Sequence, residues 1–185
     1  LPEASAYDFL KGQQKVILRN AGSIDPENIS EYIARGGYQA LGKALAMKPD
    51  HIIDEVVKAG LRGRGGGGFP TGVKWKSCKD APGREKYLIC NVSEGEPGIG
   101  MHRSFLESDP HAVLEGLIIG GFAMGATAAY VYIRDNYRIA LQRFTKAVAD
   151  ATELGLLGGT ILGSPFSFTV TIKEGGGRFV CGEET

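Results

Sequence analysis

The sequence predicts an α/β fold, a three-layer domain built around a mixed or parallel sheet. Three observations carry this. Helix-period apolar segments alternate with short apolar runs of strand length, the order expected when crossover helices join strands. Tyr87-Leu88-Ile89-Cys90-Asn91-Val92 has no polar alternation on its first four positions and reads as a strand buried on both faces, as in parallel sheets. The chain has 185 residues, 43% of them apolar, enough for one domain with a real core or one and a fraction.

The elements follow in order. Residues 14–19 read as a strand on the apolar run Val16-Ile17-Leu18. Asp25-Pro26-Glu27 reads as a helix start, with an N-cap followed by proline at the first helical position, and Gly36-Gly37 ends that helix. A second helix covers residues 39–47. A third covers 50–58, with Ile52, Ile53, Val56 and Val57 on one face, and Gly60 stops it. A short helix opens at Val73-Lys74-Trp75-Lys76. The strand at 87–92 is followed by a helix over 110–126, a strand over 128–133, a helix over 137–154 and a strand over 167–172. The run from Gly116 to Ile133 carries no charge and is near the minimum length of a membrane span. Its Gly and Ala content and its change of character midway predict a buried helix and a buried strand instead. Residues 1–50 are expected to form a strand and helices packed on a second unit, 51–185, that holds the binding loops. The chain stops inside a motif, which suggests a fragment.

The segment from Gly60 to Trp75, GLRGRGGGGFPTGVKW, is the most informative. Seven of its sixteen residues are glycine, so neither a regular helix nor a core strand forms there. Successive free N–H groups in such a loop make an anion-binding concavity. Arg62, Arg64 and Lys74 surround it with positive charge, and Phe69 offers a ring for stacking. A ligand planar at one end and phosphorylated at the other fits this set: a nucleotide or a flavin. A flexible linker would lack paired arginines, an aromatic and a Pro-Thr-Gly exit. The loop is not a P-loop, since no GxxxxGK[ST] string is present. Its GxGxxG match is nearly free in a glycine run and follows a helix pattern rather than a strand.

Composition excludes several classes. Twenty-one basic residues balance 21 acidic ones, which argues against nucleic acid as the main partner. The 28 glycines are about twice the usual ~7% share and concentrate in motifs. Cys78, Cys90 and Cys181 form no CxxC pair, and His51, His102 and His111 lack ligand spacing, so no metal site, cluster or disulfide framework is expected. The thiols indicate a reducing, cytosolic-type compartment. The N-terminus shows no secretory signal pattern.

Two further motifs carry polar groups. Asn91-Val92-Ser93-Glu94-Gly95-Glu96-Pro97-Gly98 lies at the C-terminal end of the first buried strand, where ligands bind in open α/β sheets. Asn91 donates and accepts, Ser93 offers a hydroxyl, and Glu94 and Glu96 accept from ribose hydroxyls or ring N–H groups. The plainer reading of the same residues is an acidic surface turn. Arg178-Phe179-Val180-Cys181-Gly182-Glu183-Glu184-Thr185 ends in a second carboxylate pair. Acid/base chemistry, glycoside hydrolysis and a Cys181/His nucleophile would each need a site, and nothing else in the chain builds one.

Taken together, the glycine loop, residues 91–98, Asp109-Pro110-His111 with Glu115-Gly116, and Cys181-Gly182-Glu183-Glu184-Thr185 resemble the FMN-carrying, NADH-binding subunit of respiratory complex I. The same family includes the flavin subunits of NAD-linked hydrogenases and formate dehydrogenases. Asp25-Pro26-Glu27-Asn28 and residues 31–38 are similar to the hydrogenase and formate dehydrogenase branch in particular. The resemblance runs from about Val16 to Thr185. It implies that Gly63, Arg64, Gly65 and Lys74 line FMN, that Asn91, Ser93 and Glu94 bond its ring or ribityl chain, and that Phe179, Gly182, Glu183 and Glu184 close the flavin pocket. It implies that Gly66, Phe69, Glu96 and Glu184 hold NAD(H), with Phe69 stacking. Glu94 and Glu184 are the residues nearest the chemistry: hydride transfer from NAD(P)H to FMN, then one-electron transfer to iron–sulfur clusters. Those clusters are expected in sequence beyond Thr185 or in partners, among them a 2Fe–2S thioredoxin-like subunit. Any membrane association is peripheral, through partners on the cytoplasmic face.

The chain departs from the family pattern at four places. Ser93 stands where aspartate is common, Met101-His102-Arg103 replaces Lys-Asp-Arg, Phe179 replaces tyrosine, and Ser77 replaces a bulky apolar residue. These departures bear on affinity and dinucleotide preference. They also motivate an alternative, a non-catalytic paralogue serving as a docking module. A third reading is a component of the Rnf or sodium-pumping quinone reductase type, whose glycine loop is related; Lys74-Trp75 and the Cys-Gly-Glu-Glu-Thr ending favour the first.

Overall fold

A computed structural model describes residues 7–8, 12–96 and 98–176. Seven helices and three strands are defined among them: α1 (Ile29–Ala34), α2 (Gln39–Leu45), α3 (Pro49–Lys58), α4 (Thr71–Asp80), β1 (Tyr87–Val92), α5 (Met101–Ser108), α6 (Pro110–Met124), β2 (Ala128–Arg134), α7 (Arg138–Glu153) and β3 (Thr169–Gly175). The strands pair in the order β1-β2-β3, all parallel, with Ile89 opposite Tyr130 and Tyr130 opposite Thr171. Parallel neighbours need crossovers. Helices α5 and α6 supply the first and α7 the second.

Helix α6 is the axis of the molecule. Asp109 caps its N-terminus by accepting the Ala112 N–H, and Pro110 occupies the first helical position. It is apolar nearly all round because it is covered on most sides: by α2, α3 and α4, by α5 and α7, and by β1 and β2. Leu114, Ile118 and Ala123 are fully buried. Gly121 lets the helix approach Phe168; a Cβ there would lie 2.3 Å from the ring. The chain turns at Gly125 in the left-handed region and enters β2, so the charge-free run splits into helix and strand. Among the described residues, no helix is long and apolar enough to cross a membrane.

Leu88, Cys90, Val131, Val170 and Ile172 join the core from one face of the sheet, together with Phe144 and Ala151 of α7. The other face presents Tyr87, Ile89 and Tyr130 to solvent. The α/β class with a parallel sheet is as expected. The expectation that β1 is buried on both faces is not met, since its exposure alternates and Ile89 is 72% exposed. An unbroken apolar run reports what a strand tolerates on each face, not what covers it.

Three other expectations are corrected. Residues 14–19 form no strand, with bends and turns from Val16 on and Val16 and Ile17 exposed, because among the described residues no neighbouring strand or core receives them. Helix α1 starts later than expected: Asn28, not Asp25, is its N-cap, accepting the Ser30 N–H at 3.1 Å. Asp25 instead accepts the Glu27 N–H at 2.9 Å, closing a turn ahead of the helix. Strand β3 begins at Thr169 rather than at residue 167 and runs on to Gly175.

Candidate functional site

The glycine loop is a clipped structure. Arg62 and Pro70 form an antiparallel bridge. Gly63 N–H donates to the Phe69 carbonyl at 2.9 Å, and Thr71 N–H to the Leu61 carbonyl at 2.9 Å. The Arg62 guanidinium reaches across to the Gly68 carbonyl at 3.0 Å, so this arginine braces the loop itself. Gly66 and Gly68 take φ of +117° and +62°, values an L side chain resists. Around Gly65, Gly66 and Gly68 there is open space; a Cβ built on any of them meets nothing within 4 Å. Arg64, Lys74 and Phe69 are exposed at this rim. The loop delivers the chain into α4, whose Trp75 packs against Gly120 of α6 next to Leu88 of β1. That contact seats the loop's helix beside the first strand.

The second motif leaves the C-terminal end of β1. Asn91 Oδ1 accepts the Ser93 N–H at 2.9 Å, which bends the chain out of the strand. Glu94 follows at φ +41° and is buried. Its carboxylate, expected to act on a ligand, accepts the N–H of His102 at 2.8 Å and of Arg103 at 3.2 Å, the free N-terminus of α5. It also accepts the Tyr137 hydroxyl at 3.0 Å, and its carbonyl accepts from Arg134 Nη1 at 2.9 Å. Burial by itself raises its pKa; the His102, Arg103 and Tyr137 hydrogen bonds outweigh that and leave it lowered, so Glu94 is ionised at neutral pH. Asn91 and Glu96 are exposed and Ser93 is half-buried. Phe179, Gly182, Glu183 and Glu184 lie outside the described residues.

Tyr137, Arg134 and Arg103 do not stand out in the sequence as site residues, yet all three meet here. Both guanidiniums lie over the Tyr137 ring, at 5.7 Å for Arg103 and 5.5 Å for Arg134. A signal was available. Arg134 ends the second buried strand and Tyr137 follows it by three, and strand C-terminal ends are where α/β sheets present functional groups.

A second polar cluster is buried under the N-terminal helices. Glu115 accepts the Tyr32 hydroxyl at 2.6 Å, the Tyr38 N–H at 2.9 Å and the Leu41 N–H at 3.0 Å. His111 Nδ1 shares a hydrogen bond with the Tyr38 hydroxyl at 2.9 Å, while Nε2 has no partner among the described residues. Burial pushes the His111 pKa down to about 4. Asn20 donates to Asp109 at 2.7 Å. Every carboxylate here serves as a helix cap or anchor, so the cluster holds the N-terminal segment rather than offering a ligand site. The Cys90 thiol, pushed up to about 11 by burial, is not a nucleophile at neutral pH.

A parallel α/β sheet, an open and clipped glycine loop with two cations and an aromatic at its rim, and a polar turn at a strand's C-terminal end define a nucleotide-binding α/β module. The comparisons name it further. The family described as Nuo51 FMN-binding domain matches residues 56–185, and the chain belongs to that family. It is 51% identical over 175 residues to the NADP-reducing hydrogenase subunit HndC of Solidesulfovibrio fructosivorans, covering 95% of this chain and 36% of that one. It is 50% identical to an F subunit of the NADH-quinone oxidoreductase of Rhizobium meliloti, covering 93% and 41%. The F subunit of the Escherichia coli NADH-quinone oxidoreductase is 43% identical, with 86% and 36% covered. An NAD+-reducing NiFe hydrogenase in its H2-reduced state aligns with a TM-score of 0.69 at 32% identity, over 93% of this chain and 27% of that one. The chain therefore spans well under half the length of the relatives it matches.

Proposed function

We propose that this chain is the flavin-carrying part of an NAD(P)H-oxidising subunit within a multisubunit oxidoreductase. The observation that carries the reading is the glycine loop. Its open backbone at Gly65, Gly66 and Gly68 leaves the room a planar or phosphorylated group needs, and among the described residues no side chain intrudes. The groups present fit FMN: N–H donors, the Arg64 and Lys74 cations for phosphate and ring carbonyls, and the Asn91 amide and Ser93 hydroxyl for a polyol. Phe69, half-exposed, supplies a stacking face for a nicotinamide or adenine ring, and Glu96 an acceptor for ribose hydroxyls.

When bound, the flavin supplies two-electron acceptance from NAD(P)H and one-electron release. The chain's part is binding and orientation. Gly63, Gly65 and Gly66 admit close approach, Lys74 and Arg64 supply positive charge, and the 93–96 turn supplies acceptors. Glu94 acts by shaping that turn. Glu184, with Phe179, Gly182 and Glu183, completes the pocket on this reading. Electrons pass onward to iron–sulfur clusters of the longer chain or of partner subunits, one of them a 2Fe–2S thioredoxin-like protein. The chain works on the cytoplasmic side and reaches a membrane only through partners.

The test is a titration of the anaerobically purified full-length protein with NADH, following flavin absorbance. Bleaching is the expected result. A folded protein that holds no flavin, even after FMN is added, overturns the proposal in favour of a docking module, which the Ser93 and His102 departures motivate. Phe69→Ala is expected to raise KM for NADH about fivefold, the equivalent of ~1 kcal/mol of lost stacking.

A further inference from the structure

We propose that Tyr137 is a positioning residue of the dinucleotide site: its hydroxyl, with the Arg134 guanidinium, holds Glu94 and so sets the pose of the 91–96 turn. The inference rests on the functional reading above and assigns the part of that site supplied by the β2–α7 corner.

The turn hangs from one residue. Glu94 sits at φ +41°, a left-handed conformation that a non-glycine side chain adopts only when its surroundings enforce it. Two of its four anchors come from the α5 backbone, eight and nine residues along the chain. The other two come from across the sheet, 40 and 43 residues away: Arg134 on its carbonyl and Tyr137 on its carboxylate. The α5 anchors tie Glu94 to the helix that follows the turn, itself packed on α6 and α7. Only Arg134 and Tyr137 tie it to the end of a neighbouring strand. That strand end is fixed in turn, because Asp135 N–H donates to the Gly175 carbonyl at the end of β3 at 2.9 Å. Glu96 and Asn91, the exposed groups offered to ligand, lie two and three residues from this anchor. Both guanidiniums contact the Tyr137 ring and not its hydroxyl, so the hydrogen bond to Glu94 is separable from the packing.

Tyr137→Phe removes that hydrogen bond alone. In the full-length flavoprotein, KM for NADH is expected to rise five- to tenfold, the size of one ordinary hydrogen bond, while kcat changes less than twofold. Arg134→Met should do the same. The double variant should fall short of the product of the two, because both act through Glu94. Phe144→Leu, a core change in α7, should lower Tm and leave KM unchanged, which separates positioning from general loss of stability. A KM within twofold of wild type in folded Tyr137→Phe overturns the inference while leaving the flavin reading intact. If Tyr137→Phe does not fold, an unchanged KM in Arg134→Met overturns it equally. A wild-type protein that NADH does not reduce overturns both.

Discussion

Within one helix, glycine has opposite meanings at two positions five residues apart. A Cβ on Gly121 would lie 2.3 Å from the Phe168 ring, and Phe168 is fully buried and has nowhere to go. Gly121→Ala is therefore expected to destabilise by about 2 kcal/mol, the usual size of an overpacked core substitution. Gly116 has nothing within 4 Å of a built Cβ. Gly116→Ala is expected to stabilise by up to ~1 kcal/mol through helix propensity alone. Thermal unfolding of the pair checks both signs. His111 gives a residue-scale prediction of another kind. It is 1% exposed and held neutral, with a pKa of about 4 against an ordinary 6.5. Above pH 6.5 neither folded nor unfolded chain is protonated there. Between 6.5 and about 4 the unfolded chain takes a proton that the folded one refuses, so stability falls as pH drops. The full loss is about 3 kcal/mol below that window. Asp109, whose pKa burial raises, acts in the opposite direction in acid. Asp150 and Lys146 also face the ring with opposing influence. His111→Gln removes the imidazole titration alone, and its urea stability is expected to be flatter between pH 6.5 and 4 than wild type.

At the scale of elements, α6 gathers the N-terminal segment by a single carboxylate. Glu115 closes the N-terminus of α2 by accepting from Tyr38 and Leu41, and it fixes α1 by accepting from Tyr32. Tyr38 itself takes φ +61° ahead of α2 and offers no side-chain cap, so the cap must come from another element. Glu115→Gln places an amide N–H against one of three donors. The expected loss is ~2 kcal/mol in urea unfolding, with faster amide exchange at Tyr38 and Leu41. None of this is legible in the sequence. Residues 109–116 stand out as a motif, and the apolar, charge-free run behind them places the helix, because such a run is a property of local sequence. The partners of Glu115 are more than seventy residues away, and no local pattern encodes them. The same limit explains the other differences. Residues 14–19 have the side chains of a strand and no strand beside them. The glycine loop is legible as an open loop because φ above zero and missing Cβ atoms are properties of residue type. Its closure by Arg62 is not, since that arginine has the look of a ligand for anions and instead bonds Gly68. The 91–98 turn is legible from its place after β1, but the job of Glu94 depends on Tyr137 and Arg134, which the first crossover brings beside it at the end of β2.

For the whole molecule, the sheet is the decisive feature. Its three strands run parallel with helices packed on the face that carries Leu88, Cys90 and Val131, and β1 forms one edge. Parallel sheets in α/β proteins are usually covered on both faces. Here Tyr87, Ile89 and Tyr130 stand together on a face that no described helix covers, with the Tyr87 and Tyr130 rings 6.1 Å apart. β1 carries none of the lysines or prolines that protect exposed edges. An apolar patch beside an unprotected strand edge favours association between copies. The 185-residue chain by itself is therefore expected to self-associate with rising concentration, seen as a shift to faster species in sedimentation velocity. Ile89→Lys puts a charge at the centre of the patch, on a side chain that is already 72% exposed, so it leaves the core untouched. The variant is expected to remain monomeric at concentrations where wild type does not, with Tm changed by only a degree or two. Equal self-association in both proteins would show that the contact forms elsewhere, and a monomeric wild type would show that the face is tolerated in water as it stands.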